Sequence, residues 1–139
     1  MILVISDYHK EEERVIDLIR KYKPEYTLCL GDGQSCDSFY EENNIISVRG
    51  NCDFANLPLV KILEIENKRI LMVHGHNHNV HFSMFKLFLF GKENNCDLVL
   101  FGHTHKQFIE KCDNITFLNP GALNEGNYAI IDKEEIILK

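Results

Sequence analysis

The chain has 139 residues, room for one domain with a core of its own. A hydrophobic fraction of 45% excludes a disordered chain, and a net charge of −6 excludes the basic surface that wraps a nucleic-acid backbone. The longest apolar stretch, Val80 to Phe90, is short and interrupted by Lys86, which excludes a membrane span. Met1 to Ser6 is apolar without alternation and predicts a strand buried on both faces. Asp7-Tyr8-His9 follows it as a loop. Lys10 to Lys23 predicts an amphipathic helix: Val15, Leu18, Ile19 and Tyr22 share one stripe. Glu11, Glu12 and Glu13 suit the positive end of its dipole, and Pro24 stops it. Tyr26 to Leu30 predicts a second buried strand, so the chain opens on a parallel, right-handed βαβ unit.

Gly31-Asp32-Gly33 is a turn whose glycines let backbone approach a ligand. Asp37 to Glu42 predicts a short helix. Ile45 to Val48 predicts a third strand, closed by Gly50-Asn51. The pattern then changes. Val60 to Ile65 and Arg69 to Val73 predict a hairpin around Glu66-Asn67-Lys68. Phe82 to Glu93 predicts a second long helix, whose Phe82, Phe85, Phe88 and Leu89 cover more than one face and suit a contact between copies of the chain. Asp97 to Phe101 predicts another buried strand. Short strands follow at Gln107–Lys111, Ile115–Leu118, Asn127–Ile131 and Glu135–Leu138, with turns at Asp113-Asn114 and Asp132-Lys133. No repeat, linker or low-complexity segment interrupts this order, so residues 1–139 are expected to form a single domain. The strands are too many for one small parallel sheet. Two packed sheets with helices outside them satisfy the layer rule.

The five cysteines form no C-x-x-C pair, and an odd count argues against a disulfide framework. Cys29, Cys96 and Cys112 lie in or beside apolar runs and are expected to be buried free thiols. The first residues run straight into a strand pattern with no charged leader region, so a reducing cytoplasm is the expected compartment.

Chemistry collects where the apolar runs end. Asp7 and His9 follow the first strand, Asp32 the second and Asn51 the third; His74-Gly75-His76 follows Ile70–Val73, and Gly102-His103-Thr104-His105 follows Asp97–Phe101. In His-Thr-His, alternation would point both imidazoles to one side of an extended backbone. Ligands of open α/β sheets gather beyond the carboxyl ends of strands, so these segments are expected to converge. Asp7, His9, Asp32, Asn51, His74, His103 and His105 make a mixed oxygen and nitrogen set. Lacking a thiolate, it disfavours a closed structural zinc site and suits manganese, iron, cobalt, nickel or zinc. Seven ligands exceed the needs of one ion and fit two ions that share a carboxylate.

The order D-x-H (Asp7, His9), G-D (Asp32), G-N-C-D (Asn51 to Asp53), H-G-H (His74, His76), G-H-T-H (His103, His105) and Asn119-Pro120-Gly121 resembles the calcineurin-like metallophosphoesterase superfamily. It is most similar to the small single-domain bacterial and archaeal phosphodiesterases. The motifs span residues 7 to 121. The resemblance implies a four-layer α/β/β/α sandwich of two mixed sheets. It implies two divalent ions, manganese foremost: Asp7, His9, Asp32 and His105 on the first, and Asp32, Asn51, His74 and His103 on the second, with Asp32 bridging. It also implies two-metal hydrolysis of a small phosphate ester by an in-line hydroxide held between the ions. Asp32 and Asn51 count among the catalytic residues, with His76 as a contact to a phosphoryl oxygen. His78 and His81 are expected to be surface histidines without a role.

One position departs from the wider superfamily. Many members have G-N-H-[DE], whose His protonates the leaving group; Cys52 stands there, and a neutral thiol is a poor general acid. Asp53, which would orient that His, is left as a structural loop residue. Two other readings compete with a phosphodiesterase. A eukaryotic retromer subunit with this fold resembles these proteins and is read as an interaction module, and completeness of the ligand set argues for the enzyme instead. A nuclease is disfavoured by the absence of a basic stripe. The expected partners are a small phosphate ester and a second copy of the chain, with no extended nucleic acid and no membrane.

Overall fold

β1 (Ile2–Ile5) sits at the centre of one sheet because every one of its side chains is buried. Ile2 and Val4 face the inside of the molecule, and Leu3 and Ile5 face the helices. This is why its sequence runs apolar without alternation. α1 (Glu12–Tyr22) crosses to β2 (Tyr26–Cys29), which pairs with β1 in parallel, and α2 (Asp37–Glu42) leads to β3 (Ile45–Ser47), parallel to β2. β9 (Ala129–Asp132) and β10 (Glu135–Leu138) return from the chain's far end and complete the order β10-β9-β1-β2-β3. The computed structural model describes all 139 residues.

The second sheet has the order β4-β5-β6-β8-β7. β4 (Val60–Ile65) and β5 (Lys68–Val73) form the expected hairpin. Its loop is Glu66-Asn67 alone, since Ile65 pairs with Lys68, and both loop residues have positive φ, the requirement of a tight two-residue turn. α3 (Phe85–Glu93) leads to β6 (Leu98–Leu100), parallel to β5. β7 (Gln107–Cys112) and β8 (Ile115–Pro120) form a second hairpin at the edge.

Three apolar clusters define four layers. One fills the space between the sheets, with Val4, Leu28, Met72, Leu100 and Leu118 at its centre. A second lies between the first sheet and α1 and α2; it includes Val15, Leu18, Ile19 and Tyr22, the stripe read from the sequence. The third lies between the second sheet and α3, around Leu87, Val99 and Phe117. The expected α/β/β/α sandwich of two mixed sheets is the observed architecture. No helix is long and apolar enough to cross a membrane.

Two expectations are corrected. The second long helix begins at Phe85, not Phe82, because Ser83 Oγ accepts a hydrogen bond from Phe85 N (3.1 Å) and Met84 stands at the cap. Phe82 is left in the preceding loop, 91% exposed. Cys112 is exposed, since it ends the edge strand β7, whose residues are mostly uncovered; Cys29 and Cys96 are buried as expected.

Candidate metal centre

The loops after β1, β2, β3, β5 and β6 meet at one end of the sandwich. Backbone bonds extend the sheets into them: Asp7 N donates to Gly31 O (2.9 Å), His9 N to Asp32 O (3.0 Å) and Gly102 N to His74 O (2.9 Å). The chain then turns sharply at the chemical residues. Asp7, His9, Asp32, His103 and His105 all have positive φ, between 41° and 71°. That region is costly for a residue with a side chain and collects at functional sites. Close approach explains a neighbouring glycine: a Cβ on Gly50 would collide with Asp32 Oδ1.

Two groups of side chains result. Asp7, His9 and His105 bring their ligand atoms within 4.8 Å of one another, and so do Asp32, His74 and His103. The left-handed turns at His103 and His105 correct the extended reading of His-Thr-His, and its two imidazoles fall in different groups, as the resemblance implies. Asp7 Oδ1 lies between the groups, 3.2 Å from His105 Nε2, 3.8 Å from His9 Nε2 and 3.9 Å from His74 Nε2. Asp32 Oδ2 lies 3.2 Å from His74 Nε2. The other oxygen of each carboxylate is engaged. Asp7 Oδ2 accepts from Ser6 Oγ (2.5 Å) and His103 N (3.2 Å), and Asp32 Oδ1 accepts from Cys52 N (2.8 Å).

This donor set fits cations. His74 Nδ1 donates to the Leu30 carbonyl (2.7 Å), which turns the lone pair of Nε2 towards Asp32 Oδ2 and His103 Nδ1, 3.2 Å away. His9 Nδ1 donates to Gln34 Oε1 (2.9 Å), leaving its Nε2 as an acceptor as well. His9 Nε2 and Asp7 Oδ1 are both buried without a hydrogen-bond partner. Acceptors that converge without donors need positive charge among them. Burial lowers the His74 imidazole, but the Asp32 hydrogen bond and the Asp7 charge outweigh it, and its pKa is raised. Burial likewise works to raise the Asp32 carboxyl, and His74 with the Cys52 N–H overcomes it, holding it at about 2. A proton on His74 answers Asp32 and still leaves Asp7 Oδ1 bare.

Asn51 stands exposed at the rim, its Nδ2 3.5 Å from Cys52 Sγ. His76 is half-buried, its ring 5.5 Å from that of His74 and 6.2 Å from that of His103, with Nδ1 unpartnered. Burial and then the His74 charge pull its pKa down. Cys52 is exposed, and burial of its sulfur together with the Asp32 carboxylate pushes the thiol pKa up. Asp53 does structural work: Oδ2 accepts from Asp32 N (2.8 Å) and Gly50 N (2.7 Å), and Oδ1 from Gln34 N (2.9 Å). Sequence reasoning gave His81 no role, yet its ring packs edge-on to His103 at 4.5 Å. Asn119 ties the last motif to this loop, donating to Gly102 O and to Thr104 Oγ1, both at 3.0 Å. No spacing rule marks His81 or Gln34, because tertiary packing alone brings them here.

A model of the calcineurin-like phosphoesterase superfamily domain matches residues 1–135. The chain belongs to the calcineurin-like phosphoesterase superfamily. A probable metallophosphoesterase of Methanocaldococcus jannaschii is 35% identical over 130 residues, covering 88% of this chain and 67% of its own length. The Escherichia coli phosphodiesterase YfcE is 26% identical, covering 96% of this chain and 88% of its own. Among solved structures, a predicted phosphoesterase of Streptococcus pneumoniae superposes with a TM-score of 0.86 at 27% identity, over 99% of this chain and 86% of that one. Vacuolar protein sorting 29 of Cryptosporidium parvum shares the fold at a TM-score of 0.78 and 18% identity, over 99% of this chain and 94% of that one. Metallophosphoesterases use divalent metal ions, and the two side-chain groups are this chain's candidate sites for them.

Proposed function

We propose that this chain is a metal-dependent phosphodiesterase that hydrolyses small phosphate esters with two divalent ions, manganese foremost. The observation that carries it is the pair of ligand groups facing each other across a bare, buried Asp7 Oδ1. Asp7, His9, Asp32 and His105 would hold one ion, and Asp32, Asn51, His74 and His103 the other. Asp7 Oδ1 reaches both groups, whereas His74 is the one candidate histidine within 4 Å of the Asp32 carboxylate, so the bridging role of Asp32 rests on the motif resemblance. When bound, the ions supply Lewis-acid charge to the phosphate and acidity to a water.

The protein's own groups do the rest. The Leu30 carbonyl and Gln34 amide fix the tautomers of His74 and His9. Asp53 holds the Asp32 and Gly50 loops together. His76, beside His74 and His103, is placed to hydrogen-bond a phosphoryl oxygen. In the reaction water adds to phosphorus, one ester P–O bond breaks and an alcohol leaves. Cys52, held as a neutral thiol, gives that alcohol little help with its proton, which favours esters of acidic alcohols. The test is hydrolysis of bis(p-nitrophenyl) phosphate and a panel of monoesters, diesters and cyclic nucleotides with manganese, nickel, cobalt, iron and zinc. Turnover of a diester above that of the Asp32→Ala variant supports the reading, and no turnover with any ion defeats it.

The likeness to vacuolar protein sorting 29 favours a second reading, a metal-binding scaffold without turnover. It would give full metal stoichiometry and no activity across the same panel.

A further inference from the structure

A cleft of about 510 Å³ opens beside the metal centre. Its walls are Val80, His81, Met84, Phe101 and Phe108, with Lys106 on the rim. Two of its lining residues touch the centre directly. His81 packs on His103, and Thr104 lies between His103 and His105 with its Oγ1 held by Asn119. The volume is that of a small-molecule site, which typically measures roughly 300–1,000 Å³. Phe101 and Phe108 stand edge to face at 5.9 Å, and the thioether of Met84 adds a soft surface of the kind that packs on aromatic rings. Lys106 is the one permanently charged residue of the lining, a cation where the rest of the chain is acidic.

We propose that this cleft is the subsite for an aromatic ester group of the substrate, which lies among Met84, Phe101 and Phe108 while its phosphate occupies the metal centre. The proposal rests on the phosphoesterase reading and adds the substrate class to it. A phosphate held between the ligand groups would carry one ester arm past His81 into the cleft. Lys106 complements the phosphate's negative charge at the mouth. A methyl ester would leave the apolar walls uncovered.

Two measurements test it. The first compares phenyl p-nitrophenyl phosphate with methyl p-nitrophenyl phosphate, which share a leaving group and differ only in the retained arm. The parent protein should favour the phenyl ester by about tenfold or more in kcat/KM, the discrimination that an apolar pocket gives for a small apolar group. Met84→Asp should bring that ratio towards one. Phe108→Leu, a milder change, should lower it and serves if Met84→Asp fails to fold. The second measurement needs no turnover. The chain has three methionines, Met1, Met72 and Met84, so methyl-labelled methionine gives three resolved reporters by NMR. With zinc present, phenylphosphonate should shift the Met84 methyl by its ring current and leave the buried Met72 in place, and methylphosphonate should move neither.

Equal turnover of the two esters, with Met84 unmoved by phenylphosphonate, would overturn the subsite and leave the phosphoesterase reading standing. No turnover of either ester, with Met84 still shifted, would fail the phosphoesterase reading and keep the aromatic site. A Met84 signal that moves with protein concentration and no longer answers to phenylphosphonate would show that a second copy fills the cleft, and would overturn the proposal.

Discussion

Asp53→Asn isolates the contribution of one carboxylate to the geometry of the centre. The side chain is 7% exposed and touches no candidate ligand atom, yet it accepts three backbone N–H groups from two loops. The asparagine oxygen should take the place of Oδ2, because the reverse orientation would lose two bonds instead of one. The bonds from Asp32 N and Gly50 N then survive without charge, each weakened by about 1 kcal/mol, the difference between charged and neutral acceptors. The third position presents an amide N–H to Gln34 N–H, and a bond lost with its donor left facing another costs about 1–3 kcal/mol. The sum is about 3–5 kcal/mol, a large share of the roughly 5–15 kcal/mol that holds a domain folded. At this chain length it corresponds to a fall in Tm of about 10–20 °C. Thermal unfolding followed by circular dichroism, in the presence of chelator, measures it without any contribution from metal. Metal affinity should fall in parallel, since Asp32 and Asn51 lie on the two loops that come apart. A Tm within about 3 °C of the parent would refute the reasoning, and Asp53 would then be an ordinary loop residue.

Asp32→Ala should abolish diester hydrolysis and leave the circular dichroism spectrum intact. Elemental analysis should find two ions per parent chain and at most one per variant, and a variant that still holds two would make Asp7 the sharing ligand. Cys52→His should add acid catalysis and raise turnover more for alkyl than for aryl leaving groups; parallel plots of log kcat/KM against leaving-group pKa for the two proteins would exclude position 52 from proton transfer. Phe85→Glu tests the exposed aromatics around α3, where Phe82 is 91% and Phe85 66% exposed. Light scattering should show a parent larger than one chain and a variant reduced to it, and a parent monomeric at high concentration ends the idea.

Much of the frame was legible because burial writes itself into composition. β1, β2 and β6 lie inside their sheets and read as continuous apolar runs, and the α1 stripe found its place against the first sheet. Chain-end strands were legible from turn residues, as at Asp113-Asn114, where both φ values are positive. The start of α3 was misplaced because Phe82 is apolar and nothing local says that the helix will begin after Met84. Cys112 was misplaced because nothing local says that Gln107–Cys112 will lie at the edge of its sheet, where its residues stay mostly uncovered. At the candidate site the identities and their division into two groups were readable, and the backbone that carries them was not. Strand alternation reads His103-Thr104-His105 as extended, whereas both histidines are left-handed; their division between two groups is the one the motif resemblance implies. His81 and Gln34 carry no motif at all.

Those left-handed residues lead to the remaining prediction. Five candidate ligands, Asp7, His9, Asp32, His103 and His105, hold positive φ, and a side chain in that region costs about 1–2 kcal/mol. Five such residues cost about 5–10 kcal/mol, as much as the net stability of a whole domain. A chain carrying that load also presses acceptors together, with Asp7 Oδ1 and His9 Nε2 buried and unpartnered. Backbone bonds between neighbouring loops and the Asp53 carboxylate hold the arrangement, but none of them answers the converging lone pairs. Cations bound there would. Because the arrangement is absent from the unfolded chain, each ion should stabilise the fold by linkage. At one hundred times its dissociation constant an ion contributes about 2.7 kcal/mol, which raises Tm by about 8–14 °C per site at this chain length. Melting curves with manganese, cobalt, nickel and zinc should therefore rise in two concentration-dependent steps and fall back on addition of chelator. A Tm unmoved by every one of these ions would mean that the left-handed turns serve the fold alone, and would remove the physical basis for placing metals among them.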